Sequence, residues 1–335
     1  MLTHRQIATN LAQLDLAVTA EPGERILAVL PFFHIYGLTA LMNAPLRKGA
    51  TVVVLPRFEL ETFLAAIQNH RITGLYVAPP IVLALAKHPL VEQYDLSSLR
   101  YIISAAAPLD ARLAAACSRR LGLPPVGQAY GMTELSPRHP RRPPWTPCTR
   151  RRPAPSASSS PAPRCASSPS TTPARTSAPA SPGRSSSAAP QVMKGYLGRP
   201  DATAAMIDDD GWLHTGDVGH VDEDGWLFVV DRVKELIKYK GFQVAPAELE
   251  ALLLTHPGIA DAAVIGEYDD DGTEIPHAFV VRQPTAPDLT ETDVLMHVAE
   301  RVAPYKRVRK VTFIDAVPRA ASGKILRRQL REGTV

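Results

Sequence analysis

The chain has 335 residues, 45% hydrophobic and 21% charged, which is typical of a globular protein large enough for two or three domains. Its net charge of +4 would favour an acidic partner, but residues 137–190 alone contain nine Arg and no Lys, Asp or Glu. The other residues carry 28 basic and 33 acidic side chains, so the overall charge indicates neither nucleic acid nor another acidic partner.

Cysteine usage and hydropathy narrow the class of protein further. Cys117, Cys148 and Cys165 show no CxxC or Cys/His spacing, which disfavours a metal site or disulfide framework and favours a reducing cytoplasm. The N-terminal residues have no apolar targeting core. The uncharged run 26–46 is close in length to a membrane span, which needs ~20 residues. Prolines and a glycine interrupt this run, so a buried strand, a turn and a buried helix explain it better.

The first 136 residues alternate between short apolar runs and helical patterns. The predicted strands lie at 26–30, 51–55, 74–77 and 101–104, and the predicted helices at 61–70, about 80–87 and 110–121. Because strands that alternate with helices form βαβ units, this region predicts a largely parallel sheet.

Residues 137–190 have a different composition. They comprise 14 Pro, 12 Ser, 9 Ala, 9 Arg and 5 Thr, with five residues of any other kind. Such a segment cannot bury enough apolar surface to offset the entropy of ordering, so we predict disorder. The simplest interpretation is a Pro/Ser-rich linker.

Regular patterns return at Gln191. Predicted strands lie at 226–230, 262–266, 278–281 and 311–314, predicted helices at 246–255 and 291–302, and a loop at 318–324. The elements after about residue 233 are numerous enough for a small α+β domain.

Two loops present carboxylates in patterns that suit a nucleotide. Thr133 and Glu134 follow an apolar stretch, where a hydroxyl beside a carboxylate can serve a phosphate and its Mg²⁺. Asp217 ends a predicted compact loop, 211–217, and could accept hydrogen bonds from a ribose diol. Each also fits a structural interpretation, as an ordinary polar loop or a turn carboxylate.

Three further segments carry basic or histidine side chains. Residues 231–243 hold one Arg and three Lys within nine residues, which indicates an anion site or a solvated, helix-like face. Lys324 follows Gly323, which could place its ammonium on a developing anion, although surface Gly-Lys pairs are common. His34 lies among aromatic residues and fits either a catalytic residue or a satisfied core histidine.

Taken in order, these segments resemble the AMP-forming acyl-CoA ligases of the adenylate-forming superfamily, in particular the 4-coumarate–CoA ligase-like branch. The resemblance covers 1–136 and 191–335. The segments that carry it are MLTHR, PFFHIYGL, SAAAPL, QAYGMTE, QVMKGYLGRPDAT, DDDGWLHTGD, VDRVKELIKYKGFQVAPAELE and ASGKILRR.

The resemblance implies a fold, a reaction and a set of substrates. The expected α/β fold has a partial large N-terminal domain with mostly parallel sheets and flanking helices, plus a small mobile C-terminal α+β domain. The expected segments are 1–136, the abnormal 137–190, 191–232 as the end of the large domain, and 233–335 as the small one. ATP·Mg²⁺ and a carboxylic acid would give an acyl-adenylate, and coenzyme A would then displace AMP to form a thioester. The expected acid is cinnamate-like or another aryl acid, or a fatty acid.

The resemblance also assigns roles. Thr133 would touch phosphate, Glu134 would hold Mg²⁺, and Lys324 would bridge the carboxylate and α-phosphate oxygens. Lys234 is the expected hinge residue. The other implied positions are Tyr130, Ala105, Ala106 and Ala107 around adenine, Asp217 and Arg232 at the ribose, Lys238 and Gln243 as catalytic residues, Lys240 and Gly241 at coenzyme A, and His34 where the acyl pocket meets the thiol tunnel.

Two departures from the family pattern matter. The Gly/Ser/Thr-rich phosphate loop of the family lies immediately upstream of the MLTHR segment, so we expect an N-terminally truncated chain with impaired adenylation. Residues 137–190 replace apolar strands at about the family's spacing. Compensating frameshifts in GC-rich DNA would explain this composition, and a genuine inserted linker is the alternative.

Other function classes remain open from the sequence. One is a catalytically impaired remnant that retains at most nucleotide or coenzyme A binding. Another treats 137–190 as a basic tether for nucleic acid. The segment has no Lys and a single aromatic residue, a Trp, which disfavours this interpretation. The oligomeric state is not readable from these patterns.

Overall fold

The apolar runs near the N-terminus pair as a parallel sheet in the computed structural model, which describes residues 1–14, 20–136, 164–168, 183–221 and 227–333. The strands are β1 (Arg25–Ala28), β2 (Thr51–Val54), β3 (Gly74–Val77), β4 (Tyr101–Ser104) and β5 (Gly127–Gln128). Their order is β2-β1-β3-β4-β5, and every neighbouring pair is parallel. The prediction of a parallel sheet built from βαβ units is therefore confirmed.

Helices connect these strands and cover the sheet. They are α1 (His4–Leu14), α2 (Ala44–Arg47), α3 (Leu60–His70), α4 (Pro79–Lys87) and α5 (Ala111–Leu121). Helix α5 begins where the Asp110 carboxylate accepts hydrogen bonds from the amides of Arg112 and Leu113, and it ends at Gly122 in the left-handed region. Burial is complete at Phe63, Leu64 and Ile67 of α3, at helical spacing.

The uncharged run 26–46 contains β1, a loop, the π-helical turn Gly37–Asn43 and the start of α2. It is thus divided among short elements. Across the described ranges, no helix combines the length and apolarity that crossing a bilayer requires.

A second sheet contains strands for which the composition predicted disorder. Its strands are β6 (Arg164–Ser168), β7 (Gly183–Ala188), β8 (Leu213–Val221) and β9 (Leu227–Arg232), in the order β6-β7-β8-β9. The disorder prediction is wrong at β6 and β7, because backbone hydrogen bonding to a neighbouring strand does not require apolar side chains. The rest of 137–190, apart from 189–190, lies outside the described residues. Helix α6 (Pro200–Met206) lies between β7 and β8 in the sequence.

Strand β8 also corrects the prediction of a compact loop at 211–217. Leu213, Thr215 and Asp217 are buried, whereas His214 and Gly216 between them are exposed. This alternation is that of a strand with one covered face, and the glycines obscured it in the sequence.

The described residues form two compact units. The first contains those within 1–179, 185–215 and 221–227, and the second those within 180–184, 216–220 and 228–335. In the second unit, β12 (Ile259–Tyr268) pairs antiparallel with β13 (Glu274–Arg282), which pairs parallel with β14 (Lys310–Phe313).

The second unit also contains a hairpin and three helices. They are β10 (Ile237–Tyr239), β11 (Phe242–Val244), α7 (Pro246–Leu253), α8 (Glu291–Ala299) and α9 (Arg327–Arg331). Leu249 and Leu253 of α7 and Val294 and Val298 of α8 are fully buried against the sheet residues. The small α+β architecture is as predicted, but the basic segment 231–243 contains a β-hairpin and not a helix-like face.

Candidate active site

Three loops with predicted site residues follow strands of the five-stranded sheet. His34 lies after β1, Ala105–Ala107 directly after β4, and Tyr130, Thr133 and Glu134 after β5. β4 and β5 are neighbours in the sheet, and β3 separates β4 from β1. In open parallel sheets, ligands bind outside the carboxyl ends of the strands, which is where all three loops begin.

The end of β4 is held between its neighbours and presents small side chains. The amide of Ala105 donates to the carbonyl of Val77 at 3.1 Å, and the amide of Ala129 donates to the carbonyl of Ser104 at 2.9 Å. Ala106 is exposed and has φ of +76°, in the left-handed region that alanine rarely adopts. A methyl-sized side chain at each position leaves room for a flat ring against this strand end.

Glu134 lies in the 3-10 turn Thr133–Leu135 and is fixed by a residue far along the chain. Its Oε1 accepts a hydrogen bond from the Tyr196 hydroxyl at 2.7 Å, and its carbonyl accepts one from the Met193 amide at 2.8 Å. Nearby, Ser136 Oγ donates to the carbonyl of buried Gln191 at 3.0 Å. The carboxylate is therefore oriented, whereas the Thr133 side chain beside it is exposed.

These donors suit Mg²⁺ that arrives with a nucleotide. Mg²⁺ is commonly held by one or two carboxylates together with substrate phosphates and water. Within the described part of the chain, no three His, Cys, Asp or Glu side chains are grouped so as to hold a metal ion. A single carboxylate such as that of Glu134 suits an ion that is held mainly by phosphate oxygens and water.

His34 is half-buried in a tight loop that fixes its ring. Its Nδ1 accepts a hydrogen bond from the Tyr36 amide at 3.2 Å, which puts the proton of the neutral ring on Nε2. A Cβ at Gly37 would lie 2.1 Å from the Pro31 carbonyl oxygen, so the loop can close only on glycine. The Tyr36 hydroxyl donates to the Ile103 carbonyl at 3.4 Å, and burial raises the pKa of Tyr36 well above its usual range.

In the second unit, Asp217 and Arg232 form an ion pair. Asp217 is 3% exposed, and its Oδ1 accepts from Arg232 Nε at 3.1 Å. A backbone hydrogen bond joins the same two segments, from the Val233 amide to the Gly216 carbonyl at 2.9 Å. Asp217 thus lies on a strand and not at a turn, and its carboxylate is oriented by a cation.

Lys324 belongs to the same unit and lies within electrostatic range of this pair. The residue is exposed overall, but partial burial of its ammonium lowers the pKa, and the Arg232 guanidinium lowers it further. Glu235 and Asp217 act in the opposite direction. Lys324 therefore lies near enough to Asp217 and Arg232 for their charges to affect its pKa.

The hairpin of β10 and β11 brings together another predicted set. Lys238 and Gln243 are directly opposite each other, and Lys240 and Gly241 form the two-residue turn between the strands. Both turn residues have positive φ, 46° and 85°, as a type I′ turn demands. The Arg309 guanidinium lies 4.9 Å from the Tyr239 ring.

Lys234, the predicted hinge residue, lies in the turn between β9 and β10. The Arg232 carbonyl accepts from the amides of Glu235 at 2.9 Å and Leu236 at 3.1 Å, which closes this turn. Lys234 itself is exposed.

Several polar residues around these positions were not identified from the sequence. Buried Asp231 accepts from the amides of Arg232 and Ala247, and burial raises its pKa. Arg327 Nη2 donates to Glu250 Oε1 at 2.6 Å. The others are Tyr196, which bonds Glu134, and the pair of Asp261 and Arg319. Apart from the adjacent Arg232 amide, their partners lie between 16 and 77 positions away, and no local pattern signals such pairs.

Two protein-family models match the chain. The model described as AMP-binding enzyme matches residues 1–197, and that described as AMP-binding enzyme C-terminal domain matches residues 248–324. The first match alone covers more than half of the chain.

Curated relatives include plant ligases. The chain is 46% identical over 341 residues to 4-coumarate–CoA ligase 2 of Oryza sativa, covering 99% of this chain and 59% of the rice protein. It is 44% identical over 339 residues to 4-coumarate–CoA ligase 3 of Arabidopsis thaliana, covering 99% of this chain and 60% of that protein. The chain thus spans about 60% of the length of these relatives.

Solved structures agree with the fold. ATP-bound MatB from Rhodopseudomonas palustris superimposes with a TM-score of 0.83 at 30% identity, over 99% of this chain and 64% of MatB. The anthranilate CoA ligase AuaEII in complex with anthranoyl-AMP has a TM-score of 0.84 at 26% identity, over 99% of this chain and 64% of AuaEII. O-succinylbenzoate coenzyme A synthetase from Bacillus subtilis, in complex with ATP and magnesium, has a TM-score of 0.77 at 30% identity, over 98% of this chain and 66% of the synthetase.

Proposed function

Because the chain belongs to the AMP-binding enzyme family, we propose that it activates a carboxylic acid with ATP and Mg²⁺ and transfers the acyl group to coenzyme A. The observation that carries this proposal is the placement of Ala105–Ala107 and of Thr133 and Glu134 at the carboxyl ends of two neighbouring parallel strands. That placement provides a surface for a flat base beside an oriented carboxylate.

The first proposed step is adenylation. A carboxylate oxygen of the acid attacks the α-phosphorus of ATP, the bond to the bridging oxygen breaks, and pyrophosphate leaves with the electron pair. Tyr130 and Ala105–Ala107 flank adenine, and Asp217, oriented by Arg232, accepts from the ribose hydroxyls. Thr133 contacts phosphate, and Glu134 would hold Mg²⁺, which neutralises phosphate charge when bound.

Lys324 is the proposed electrophilic residue of this step. Its ammonium bridges the attacking carboxylate and the α-phosphate oxygens, where negative charge accumulates in the transition state. Neighbouring Arg232 adds to the positive field, and Glu235 and Asp217 limit the fall in the Lys324 pKa. The ammonium form is the one that this role needs.

The second proposed step is thioester formation. The sulfur of coenzyme A attacks the acyl carbon, and AMP leaves. We propose that residues 233–335 act as a mobile domain that turns about Lys234 between the steps, and that 1–136 with 191–232 form the nucleotide-binding part. Lys238 and Gln243 then act at the reacting centre, Lys240 and Gly241 contact coenzyme A, and His34 lies where the acyl pocket meets the thiol path.

The proposed substrate is an aryl acid of the cinnamate type, with a fatty acid as the alternative. Support comes from the relatives named 4-coumarate–CoA ligase. In the structure, buried Tyr36 beside β4 and the small Ala105 are the side chains proposed to line the acyl pocket. The cysteine pattern supports a cytoplasmic location as part of the same proposal.

Carboxylate-dependent exchange between ATP and labelled pyrophosphate tests the proposal. We expect exchange with cinnamate-like acids above that with fatty acids, and a loss of roughly 100-fold or more in Lys324→Gln, as for removal of a transition-state donor. Nucleotide binding measured by calorimetry should be retained in that variant. Exchange with no acid would contradict the proposal, and binding without exchange would identify a non-catalytic remnant.

A further inference from the structure

Arg319 contacts two groups at once, the Asp261 carboxylate and the Gly323 carbonyl, at the base of the loop that carries Lys324. Its Nη2 donates to Asp261 Oδ1 at 2.9 Å and Oδ2 at 3.0 Å, and its Nε lies 3.3 Å from Oδ2. Its Nη1 donates to the carbonyl oxygen of Gly323 at 3.0 Å. Because Gly323 directly precedes Lys324, one guanidinium connects strand β12 to the peptide group beside the lysine.

The loop itself is a short closed turn. The Gly323 amide donates to the Ala320 carbonyl at 2.8 Å, and the Ala320 amide donates to the Lys324 carbonyl at 2.9 Å. Gly323 has φ of +86°, which only glycine adopts without strain. Backbone bonds also close the base of the loop, where the Leu326 amide donates to the Pro318 carbonyl at 2.9 Å, and the Arg319 side chain adds a contact to the Gly323 carbonyl within it.

The anchor of this contact lies in a paired strand. Asp261 belongs to β12 and is paired with Val281 of β13 directly after an irregularity in the register, and its Oδ1 also accepts from the Ala262 amide at 2.9 Å. The Asp261 and Arg319 side chains are 22% and 21% exposed, so solvent competes little for the pair. A bidentate pair between Arg and a carboxylate fixes orientation as well as distance.

We propose that Arg319 is a positioning residue for adenylation, which holds the Gly323–Lys324 peptide against Asp261 and so places the Lys324 ammonium. The inference rests on the proposed function, because it takes Lys324 as the lysine of that step. Arg319 does not touch substrate in this role.

Lysine cannot replace arginine in this contact. A planar guanidinium can donate to both carboxylate oxygens from one edge and to a carbonyl from another. A lysine ammonium keeps the charge but has no such fork. The variant Arg319→Lys therefore separates the effect of geometry from the effect of charge.

The test compares the two half-reactions in the whole chain. In Arg319→Lys and Arg319→Gln we expect pyrophosphate exchange to fall roughly 10- to 100-fold through kcat, as expected for a misplaced catalytic group. Thioester formation from a chemically prepared acyl-adenylate should stay within about twofold of wild type, because Lys324 acts in the first step only. The variant Asp261→Asn should resemble Arg319→Gln, and combining the two should add little.

Arg301 offers a matched control. Its Nη1 donates to the His297 carbonyl at 2.8 Å and to Glu300 Oε2 at 3.0 Å, so it also bonds a carbonyl and a carboxylate, but at the C-terminal end of α8. The change Arg301→Lys should leave both half-reactions unchanged. A purely structural effect of Arg319 would lower both half-reactions together.

A second readout is independent of activity. The pH dependence of Lys324 modification by an amine-reactive reagent, followed by mass spectrometry, reports the pKa of that amine. In Arg319→Lys we expect this pKa to rise towards the ordinary lysine value, because a released loop exposes the ammonium to water and separates it from Arg232.

The outcomes are distinct. Loss of exchange with thioester formation retained, together with the rise in the Lys324 pKa, supports the proposal. Equal loss of both half-reactions, or an unchanged Lys324 pKa in Arg319→Lys, overturns it. If the wild-type chain gives no exchange with any acid, the proposed function fails, and the Lys324 titration alone then decides whether Arg319 holds the loop.

Discussion

Ala106 combines an exposed position beside the proposed adenine site with a left-handed backbone, φ +76°. The Cβ of alanine crowds the backbone in this conformation, at a cost of about 1–2 kcal/mol. Strained residues of this kind are found preferentially at ligand-binding sites, where surrounding structure holds them in place. Here the hydrogen bonds of Ala105 with Val77 and of Ala129 with Ser104 hold the strand end directly before the strained residue.

The change Ala106→Gly should therefore stabilise the protein. We expect the free energy of unfolding to rise by roughly 0.5–1 kcal/mol, because relief of strain exceeds the entropy that glycine adds to the unfolded chain. Urea denaturation of the first unit measures the change. The neighbouring Ala107→Gly is the control: its φ is not positive, so only the entropy term applies and the variant should lose stability. Equal effects at both positions would rule out strain at Ala106.

Candidate site residues that are adjacent in the chain could be identified from the sequence. Thr133 and Glu134 are adjacent in the chain, so their joint position in a loop followed from the apolar stretch before them, although β5 itself was not predicted. The hydrogen bond between Tyr196 and Glu134 joins residues 62 positions apart, and no periodicity encodes it. The left-handed backbone of Ala106 was equally hidden, since nothing in the composition of SAAAPL favours a positive φ at alanine.

Strand β8 and the hairpin of β10 and β11 show where prediction of whole elements failed. Glycines at 211, 216 and 219 made residues 211–217 look like a loop, yet alternate burial makes most of them a strand. The lysines at 238 and 240 suggested a solvated face, but the type I′ turn at Lys240 and Gly241 requires a hairpin. By contrast, β3 and β4 were predicted to the residue, because their apolar runs are bounded clearly.

The turn of this hairpin gives a direct test of its type. Gly241 has φ of +85°, so Gly241→Ala should cost about 1–2 kcal/mol of stability in the second unit. Gly241→Asn should cost less, because asparagine tolerates the left-handed region. Urea denaturation of the two variants side by side checks the difference. If alanine and asparagine are equally tolerated, the turn is not type I′.

We expect His277 on β13 to make the second unit less stable in acid. It is buried, its Nε2 lies 2.9 Å from Thr312 Oγ1, and its Nδ1 contacts Glu267. Burial lowers the pKa of His277, and the Lys310 ammonium adds to this, although Glu267 opposes both. The folded state therefore favours neutral imidazole.

The sign of the pH dependence follows from this lowered pKa. As pH falls below the ordinary histidine value of about 6.5, the unfolded chain takes up a proton before the folded one does. Stability should thus fall between about pH 7 and the folded pKa, with a slope of at most about 1.4 kcal/mol per pH unit from this group. Native-state hydrogen exchange of the β12–β14 amides measures the slope. It should flatten in His277→Gln, and an unchanged slope would assign the acid sensitivity to other groups.

For the molecule as a whole, the proposed alternation between two half-reactions depends on one turn. Lys234 is exposed between β9 and β10, and the hydrogen bonds to the Arg232 carbonyl close the turn around it. A rotation there would change the backbone torsions of few residues, which is what a hinge requires.

The change Lys234→Pro tests this rotation. Proline fixes φ near −65° and restricts Val233 as well, so turning about this position should be impeded. We expect thioester formation to fall by roughly 100-fold relative to pyrophosphate exchange in the same variant, in line with losses seen for misplaced catalytic groups. The comparison of the two half-reaction rates is the measurement, with Lys234→Ala as a control that should retain both. Equal losses in both steps would place the hinge elsewhere.

The hydrogen bonds of Ser136 with Gln191 and of Glu134 with Met193 have a consequence for chain connectivity. They hold the two ends of segment 137–190 together through contacts that do not depend on the peptide bonds between them. The entropy of closing such a loop grows only slowly with its length, so the segment's length matters little. Inserting residues into that segment should therefore change the free energy of unfolding little and should leave the Glu134 carboxylate oriented by Tyr196.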